Sequence, residues 1–262
     1  MDFMIDELRG YFIRKTIGRR IEYHEEIEST NTEALHLAQQ GAEEGTVVIA
    51  EAQSAGRGRL NRSWESPPSM NLYLSVVLRP DIPAAAASLI PLMVGVAVAD
   101  VISQYCPGKV RLKWTNDILI DGKKICGILT EMRTKADRVA FIIAGIGVNL
   151  NMQKLHFPRE LRETATSLRI ETALDIDRVD FAVRLFEILG NWYRVFLNGG
   201  AAAIREKWLQ YAELVGKRVE VVFKETVQHG TVRGLDENGA LLLEGETGMQ
   251  QVLAGDLYIE RL

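Results

Sequence analysis

The change of periodicity at Gly216 constrains the fold of this chain most. Between 177 and 213 the apolar residues recur at helical spacing. Phe181, Leu185, Ile188, Leu189, Trp192, Phe196 and Leu197 mark one stripe, and Gly199-Gly200 separates it from a second helix carrying Trp208. After Gly216 the chain breaks into short runs at 217–223, 226–235, 239–244, 248–254 and 256–260, with Asn238-Gly239 as a hairpin turn. So short a set of strands cannot bury a large core by itself. The expected solution is a small SH3-like antiparallel β-barrel packed on a larger unit.

The larger unit reads as α+β, a mixed β-sheet backed by helices. Ser29-Thr30-Asn31 precedes a helical pattern whose apolar face includes Leu35, Leu37 and Ala38. Ser and Thr are N-cap residues there, and Gly41 closes the helix. Strands are expected at 46–53 and 72–78, then a long helix at about 85–105. Three close strands follow at 109–114, 117–120 and 125–133, the last two joined by the turn signal Asp121-Gly122. A further buried strand, 138–150, is interrupted by Gly145 and Gly147. The chain thus divides into a lead-in (1–28), a main domain (29–214) and a small β domain (215–262).

Composition narrows the function. The formal net charge is −4, so a dedicated nucleic-acid binder is disfavoured. Cys106 and Cys126 fall in or beside apolar runs and suit buried small residues, not a disulfide or a zinc site. The four histidines show no metal-ligand spacing. Residues 82–99 carry no charge, but Pro83, Pro91, Gly95 and many alanines favour a buried helix over a membrane span. The opening MDFMIDELRG has no apolar core and no signal-peptide character. A cytoplasmic protein without membrane contact is expected.

Residues 56–64 read Gly-Arg-Gly-Arg-Leu-Asn-Arg-Ser-Trp. Glycines let main chain approach a ligand closely. Arg57, Arg59 and Arg62 offer guanidinium forks for phosphate or carboxylate. A solvated basic loop or a nucleic-acid contact would read the same way from this stretch alone. In an acidic chain a small anionic ligand fits better.

Four ordered segments carry uncommon residue choices at predicted strand ends: EST-N at 28–31, EAQSAGRGRLNRSW at 51–64, KWTND at 113–117 with GKKICGILTE at 122–131, and GIGVN at 145–149. Together they resemble the catalytic domain of the bacterial biotin protein ligases, over roughly residues 20–150. The β module at 215–262 is similar to that family's C-terminal domain. The resemblance implies the biotin/lipoyl ligase catalytic fold, related to class II synthetases. It also implies a reaction in which biotin and ATP give biotinyl-5′-AMP, and biotin passes to one lysine of a biotin carboxyl carrier protein or domain of acetyl-CoA carboxylase or a related carboxylase. Mg²⁺ is expected with ATP, held largely by phosphates and water, with no protein metal ligands assigned.

The resemblance assigns Ser29, Thr30 and Asn31 to the ureido end of biotin, and Gln53 to the region of its carboxylate. It gives Gly56, Arg57, Gly58 and Arg59 to a loop that closes on the ligand, with Arg59 and Arg62 as phosphate contacts. Trp64 would stand against adenine, although a lone tryptophan more often packs in a core. Lys113 would bridge carboxylate and phosphate oxygens, making Lys113, Arg57 and Arg59 the catalytic set. Asn116, with Asp117, would serve the nucleotide side, although a turn role is the default for both. Gly127 and Ile128 would wall the biotin pocket. Gly145 and Gly147 would line it, with Asn149 near adenine.

Two positions depart from the family pattern. Thr115 stands where proline is common, and Asn61 where many members have glycine; asparagine tolerates the left-handed backbone that such a loop needs. Some family members also carry an N-terminal DNA-binding module. Only 28 residues precede the Ser-Thr-Asn motif here, so no DNA partner is expected. A lipoate protein ligase and a biotin-sensing regulator without ligase activity are the alternatives. Monomer and homodimer both stay open.

Overall fold

The alternating apolar runs become two sheets. The structure, a computed structural model, describes Leu8, Gly10, residues 16–246 and residues 248–260, and only the backbone of Asn61. Apart from Leu8 and Gly10, the lead-in before Thr16, with the stretch read for a signal peptide, lies outside the described residues. In chain order the main unit comprises β1 (Ile21–Ile27), α1 (Thr30–Gln39), β2 (Val47–Gln53), β3 (Leu72–Leu78), α2 (Leu89–Tyr105), β4 (Val110–Lys113), β5 (Asp117–Ile120), β6 (Lys123–Lys135), β7 (Arg138–Val148), α3 (Leu168–Thr172), α4 (Arg178–Leu197) and α5 (Ala201–Ala212). Its seven strands run in the order β1-β2-β3-β7-β6-β5-β4. β1 is parallel to β2, and the other pairings are antiparallel. The sheet is therefore mixed, as expected.

Helices cover both faces. Successive side chains of a strand point to opposite faces, so one strand can serve two layers. In β7, Ile142, Ala144, Ile146 and Val148 join the large core shared with α2 and α4. Phe141 and Ile143 join a smaller cluster with Ala34 and Ala38 of α1. The uncharged run is a buried helix: α2 buries residues along all its turns and packs on α4, α5 and β4. Asp177 caps α4, accepting hydrogen bonds from the Val179 and Asp180 amides.

Three local expectations change. The stretch assigned to the lead-in supplies β1, an edge strand of the main sheet, from Ile21 onward. Ser29 holds the N-cap position of α1, but its side chain makes no capping hydrogen bond. The left-handed residue of the arginine loop is Leu60 (φ 54°), not Asn61. The peptide between Trp114 and Thr115 is cis. The Asp121-Gly122 turn is as expected, with both residues at positive φ between β5 and β6.

The second unit comprises β8 (Arg218–Phe223), β9 (Thr226–Leu235), β10 (Leu241–Gly245), β11 (Gly248–Val252) and β12 (Asp256–Ile259). These form an antiparallel sheet in the order β11-β10-β9-β8-β12. Among the described residues the five strands pair as a linear ladder. The turn between β9 and β10 is wider than the expected two-residue hairpin. Asp236 Oδ1 accepts from the amides of Asn238 (2.9 Å) and Ala240 (2.8 Å), and Gly239 alone of the Asn-Gly pair has positive φ, 85°. This turn is pressed against the start of α2. A Cβ on Gly239 would lie 2.7 Å from Leu92, and Ser88 Oγ donates to the Asn238 carbonyl at 2.5 Å.

Trp208 of α5 is 1% exposed and stands against Gly95 of α2. Truncating such a ring leaves a cavity in the core. Trp208→Ala is expected to lower stability by about 3–5 kcal/mol, read as a fall in the urea midpoint at unchanged m-value.

Candidate active site

The same pleat that builds the core opens the site. On the α1 side of the sheet, the odd-numbered positions of β7 run Phe141, Ile143, Gly145, Gly147. The apolar layer stops where the side chains stop. Gly145 pairs with Ser75 of β3 and Leu129 of β6, and Gly147 pairs with Tyr73 and Gly127. Three glycines and a serine thus leave a hollow in the middle of the sheet. It opens as a cavity of about 460 Å³.

One end of the hollow has a polar floor. Asn31 fills the space above Gly145, whose Cβ would lie only 2.0 Å from Asn31 Oδ1. Ser75 Oγ donates to Asn31 Oδ1 (2.6 Å) and stands 2.8 Å from Thr30 Oγ1. Asn31 Nδ2 donates to the Leu129 carbonyl (3.2 Å) and to Glu131 Oε2 (2.9 Å). Gln53 Oε1 accepts from the Thr30 amide at 2.9 Å, and its amide nitrogen donates to Ser66 Oγ at 2.8 Å. Buried polar groups joined this way are fixed in orientation. They present a preset hydrogen-bonding surface to a ligand.

The arginine loop closes over the other end as a small hairpin. Gly58 N donates to the Arg62 carbonyl (2.7 Å) and Trp64 N to the Gly56 carbonyl (2.9 Å). The loop lays the Trp64 indole on the glycine floor. A Cβ on Gly147 would lie 2.5 Å from Trp64 Nε1, and one on Gly127 2.9 Å from the same ring. Trp64 Nε1 is buried with no hydrogen-bond partner, a donor unspent at the cavity wall.

Cations line this end. Arg59 Nη1 donates to Thr115 Oγ1 and Asn116 Oδ1, both at 2.7 Å. Arg62 meets Asp256 of β12 at 2.6 Å, and that hydrogen bond raises the arginine pKa further above its ordinary value. Lys113 Nζ stands 4.9 Å from the centre of the Tyr258 ring. Lys124 Nζ stands 2.7 Å from Asp117 Oδ1 and 5.4 Å from the centre of the Trp64 ring. A site with this much fixed positive charge suits phosphate and carboxylate oxygens.

Ser29, Thr30, Asn31, Gln53, Arg57, Gly58, Arg59, Arg62, Trp64, Lys113, Asn116, Gly127, Ile128, Gly145, Gly147 and Asn149 all line this one cavity. Gly56 does not. It forms the neck of the loop, where a Cβ would lie 2.4 Å from the Trp64 carbonyl oxygen. Two asparagines are occupied by the fold itself. Asn116 Nδ2 donates to the Ile128 carbonyl (2.9 Å) while its Oδ1 holds Arg59, and Asn149 Nδ2 donates to the Thr166 carbonyl (3.0 Å). Sequence reasoning passed over Lys124, Ser75, Glu131 and Asp256. Lys124 lies inside the quoted GKKICGILTE segment and was legible there. Asp256 lies far off in sequence and carried no signal.

Cys126 is wholly buried, and burial pushes its thiol pKa well up, so it is packing rather than a nucleophile. Among the described residues no three His, Cys, Asp or Glu side chains gather as a metal site. A Mg²⁺ arriving with ATP would be held mainly by phosphate oxygens and water.

The glycine floor yields a direct test. Gly147 has an ordinary backbone conformation, so alanine adds only its Cβ. Gly147→Ala is expected to lift the Trp64 ring and shift its fluorescence while leaving far-UV circular dichroism unchanged. An unshifted spectrum would show that the ring does not rest there.

Comparison with known proteins agrees with this geometry. Residues 23–149 match the model of the biotin/lipoate A/B protein ligase family, and residues 214–259 match the biotin protein ligase C terminal domain. The chain is 37% identical over 253 residues to the bifunctional ligase/repressor BirA of Bacillus subtilis, covering 97% of this chain and 78% of that protein. It is 34% identical over 234 residues to the biotin–[acetyl-CoA-carboxylase] ligase of Paracoccus denitrificans, covering 88% of this chain and 97% of the relative. The structure of the biotin protein ligase from Aquifex aeolicus in complex with biotin and ATP superposes with a TM-score of 0.78 at 27% identity, over 93% of this chain and 100% of that one. A glycine-floored hollow under an arginine loop, in a chain related to ligases along nearly its whole length, places the protein in the biotin/lipoate A/B protein ligase family, among its biotin protein ligases.

Proposed function

We propose that the chain joins biotin to ATP as biotinyl-5′-AMP and transfers the biotinyl group to a lysine of a biotin carboxyl carrier domain in the cytoplasm. One observation carries the reading: a single cavity has a preset polar floor at one end and Arg59, Arg62, Lys113 and Lys124 at the other. Biotin has a flat ureido-bearing ring system and a carboxylate tail, and it needs both ends served. The bicycle fits in the hollow beside Thr30 and Asn31. The carboxylate then extends toward the cations. Biotin is favoured over lipoate because relatives matched over 88% and 91% of the chain are named biotin–[acetyl-CoA-carboxylase] ligases.

The chemistry follows from charge. A biotin carboxylate oxygen attacks the α-phosphorus of ATP, the P–O bond to pyrophosphate breaks, and pyrophosphate leaves. The lysine amine of the acceptor then attacks the acyl carbon of the mixed anhydride. The C–O bond to phosphate breaks, AMP leaves, and the amine gives up its proton. Negative charge is redistributed over carboxylate and phosphate oxygens in both steps. Fixed donors aimed at those oxygens stabilise it without reorganising. Asn116 and Thr115 hold Arg59, and Asp256 holds Arg62, so the guanidiniums are already oriented. The loop and Trp64 keep water from the anhydride. The ligase site is the whole of this reading, and no DNA-binding role is included.

Lys113 and Lys124 approach the cavity from different strands, so either can be the lysine that touches both carboxylate and α-phosphate. Lys113→Ala and Lys124→Ala are each expected to fold and to lose about 10²–10³ in single-turnover biotinyl-adenylate synthesis. Lys→Arg at either position is expected to rescue poorly, because a planar fork replaces a point charge. The measurement is pyrophosphate release with biotin against lipoate, followed by the mass of a carrier domain incubated with ATP and biotin. An unmodified carrier, or adenylate made equally from lipoate, would sink the proposal.

A further inference from the structure

Glu131 stands at the rim of the cavity, beyond its lining, and touches both the floor and the loop. It lies on β6, and the pleat puts Gly127, Leu129 and Glu131 on one face of the sheet. Its Oε2 accepts from Asn31 Nδ2 at 2.9 Å and from Arg57 Nη1 at 3.4 Å, and its Oε1 is 3.3 Å from Arg57 Nη2. Arg57 belongs to the loop hairpin, whose bridge to Ser63 carries Trp64 down onto the glycine floor. The carboxylate therefore joins the floor of the pocket to the loop above it. Arg57 thus turns both terminal nitrogens toward this carboxylate.

Resting on the ligase reading above, we propose that Glu131 is a positioning residue that latches the arginine loop through Arg57. Closure retains the biotinyl-adenylate until the acceptor lysine arrives. Arg57 then acts as the loop's clasp, while Arg59 and Arg62 meet the phosphates. The latch is an ion pair at the cavity mouth, with side chains 48% and 21% exposed, so it is weak enough to open for each turnover. Its link to Asn31 gives it direction. A ligand that presses on the floor and a loop that closes above it share one carboxylate.

The test separates retention of the adenylate from its synthesis. Glu131→Gln keeps an acceptor for Asn31 but removes the charge that holds Arg57. The variant is expected to release biotinyl-adenylate about fivefold faster than the unmodified chain, the scale of a half-exposed ion pair. Its single-turnover synthesis should change less than its release. Arg57→Gln is expected to give the same acceleration from the loop side, and the double variant no more than either single one. Release is followed by trapping radiolabelled adenylate on excess unlabelled enzyme. Unchanged release in both single variants, or additive acceleration in the double, would overturn the latch while leaving the ligase reading intact. An unmodified chain that makes no adenylate would overturn both.

Discussion

The site depends on a row of missing side chains. Gly127, Gly145 and Gly147 sit in paired registers of β6 and β7, with Ser75 beside them on β3. Ordinary strand residues here would fill the space beneath α1, as Phe141 and Ile143 do two pleats away. Their absence lets Asn31 and Trp64 descend to within van der Waals contact of the backbone. The hollow that they bound is open to a flat ligand. Everything else in the site, from the polar floor to the arginine loop, is arranged around that depression.

Rigidity is distributed unevenly around it. The floor belongs to a seven-stranded sheet with helices on both faces, and its polar groups bind one another. The lid is a short hairpin carried on Gly56 and Gly58, fastened by contacts near the surface. Such an arrangement suits an enzyme that must first admit two substrates and then exclude water from a reactive anhydride.

The small β unit is part of the site and not an appendage. Asp256 meets Arg62, and Tyr258 stands under Lys113, so β12 touches two of the cavity's cations. The β9–β10 turn is meanwhile wedged against the start of α2 through Gly239. Two anchor points on the main unit fix the orientation of this sheet. Oriented cations then follow from contacts made by residues almost 200 positions apart.

Most of the elements and the residue types of the site are legible in the sequence. Period-two and helical spacings located most strands and helices within a few residues, because a core needs one apolar face wherever it is built, but they missed the edge strand β1 and the short helix α3. The arginine loop, Lys113 and the glycines of GIGVN were legible because a phosphate and a flat ring demand residue types that packing alone does not. Sequence could not decide which cations face which partner. Lys124 reads as one of two adjacent lysines until β5 and β6 pair and carry it to Asp117 and Trp64. Gly56 reads like its neighbour Gly58 until the hairpin makes one the neck and the other the wall. Asp256 carries no local mark at all, and Glu131, at the end of the GKKICGILTE segment, carries none that points to Arg57. Their roles arise from register and domain packing, which are sums over many weak contacts between distant segments, and so only the tertiary structure assigns them.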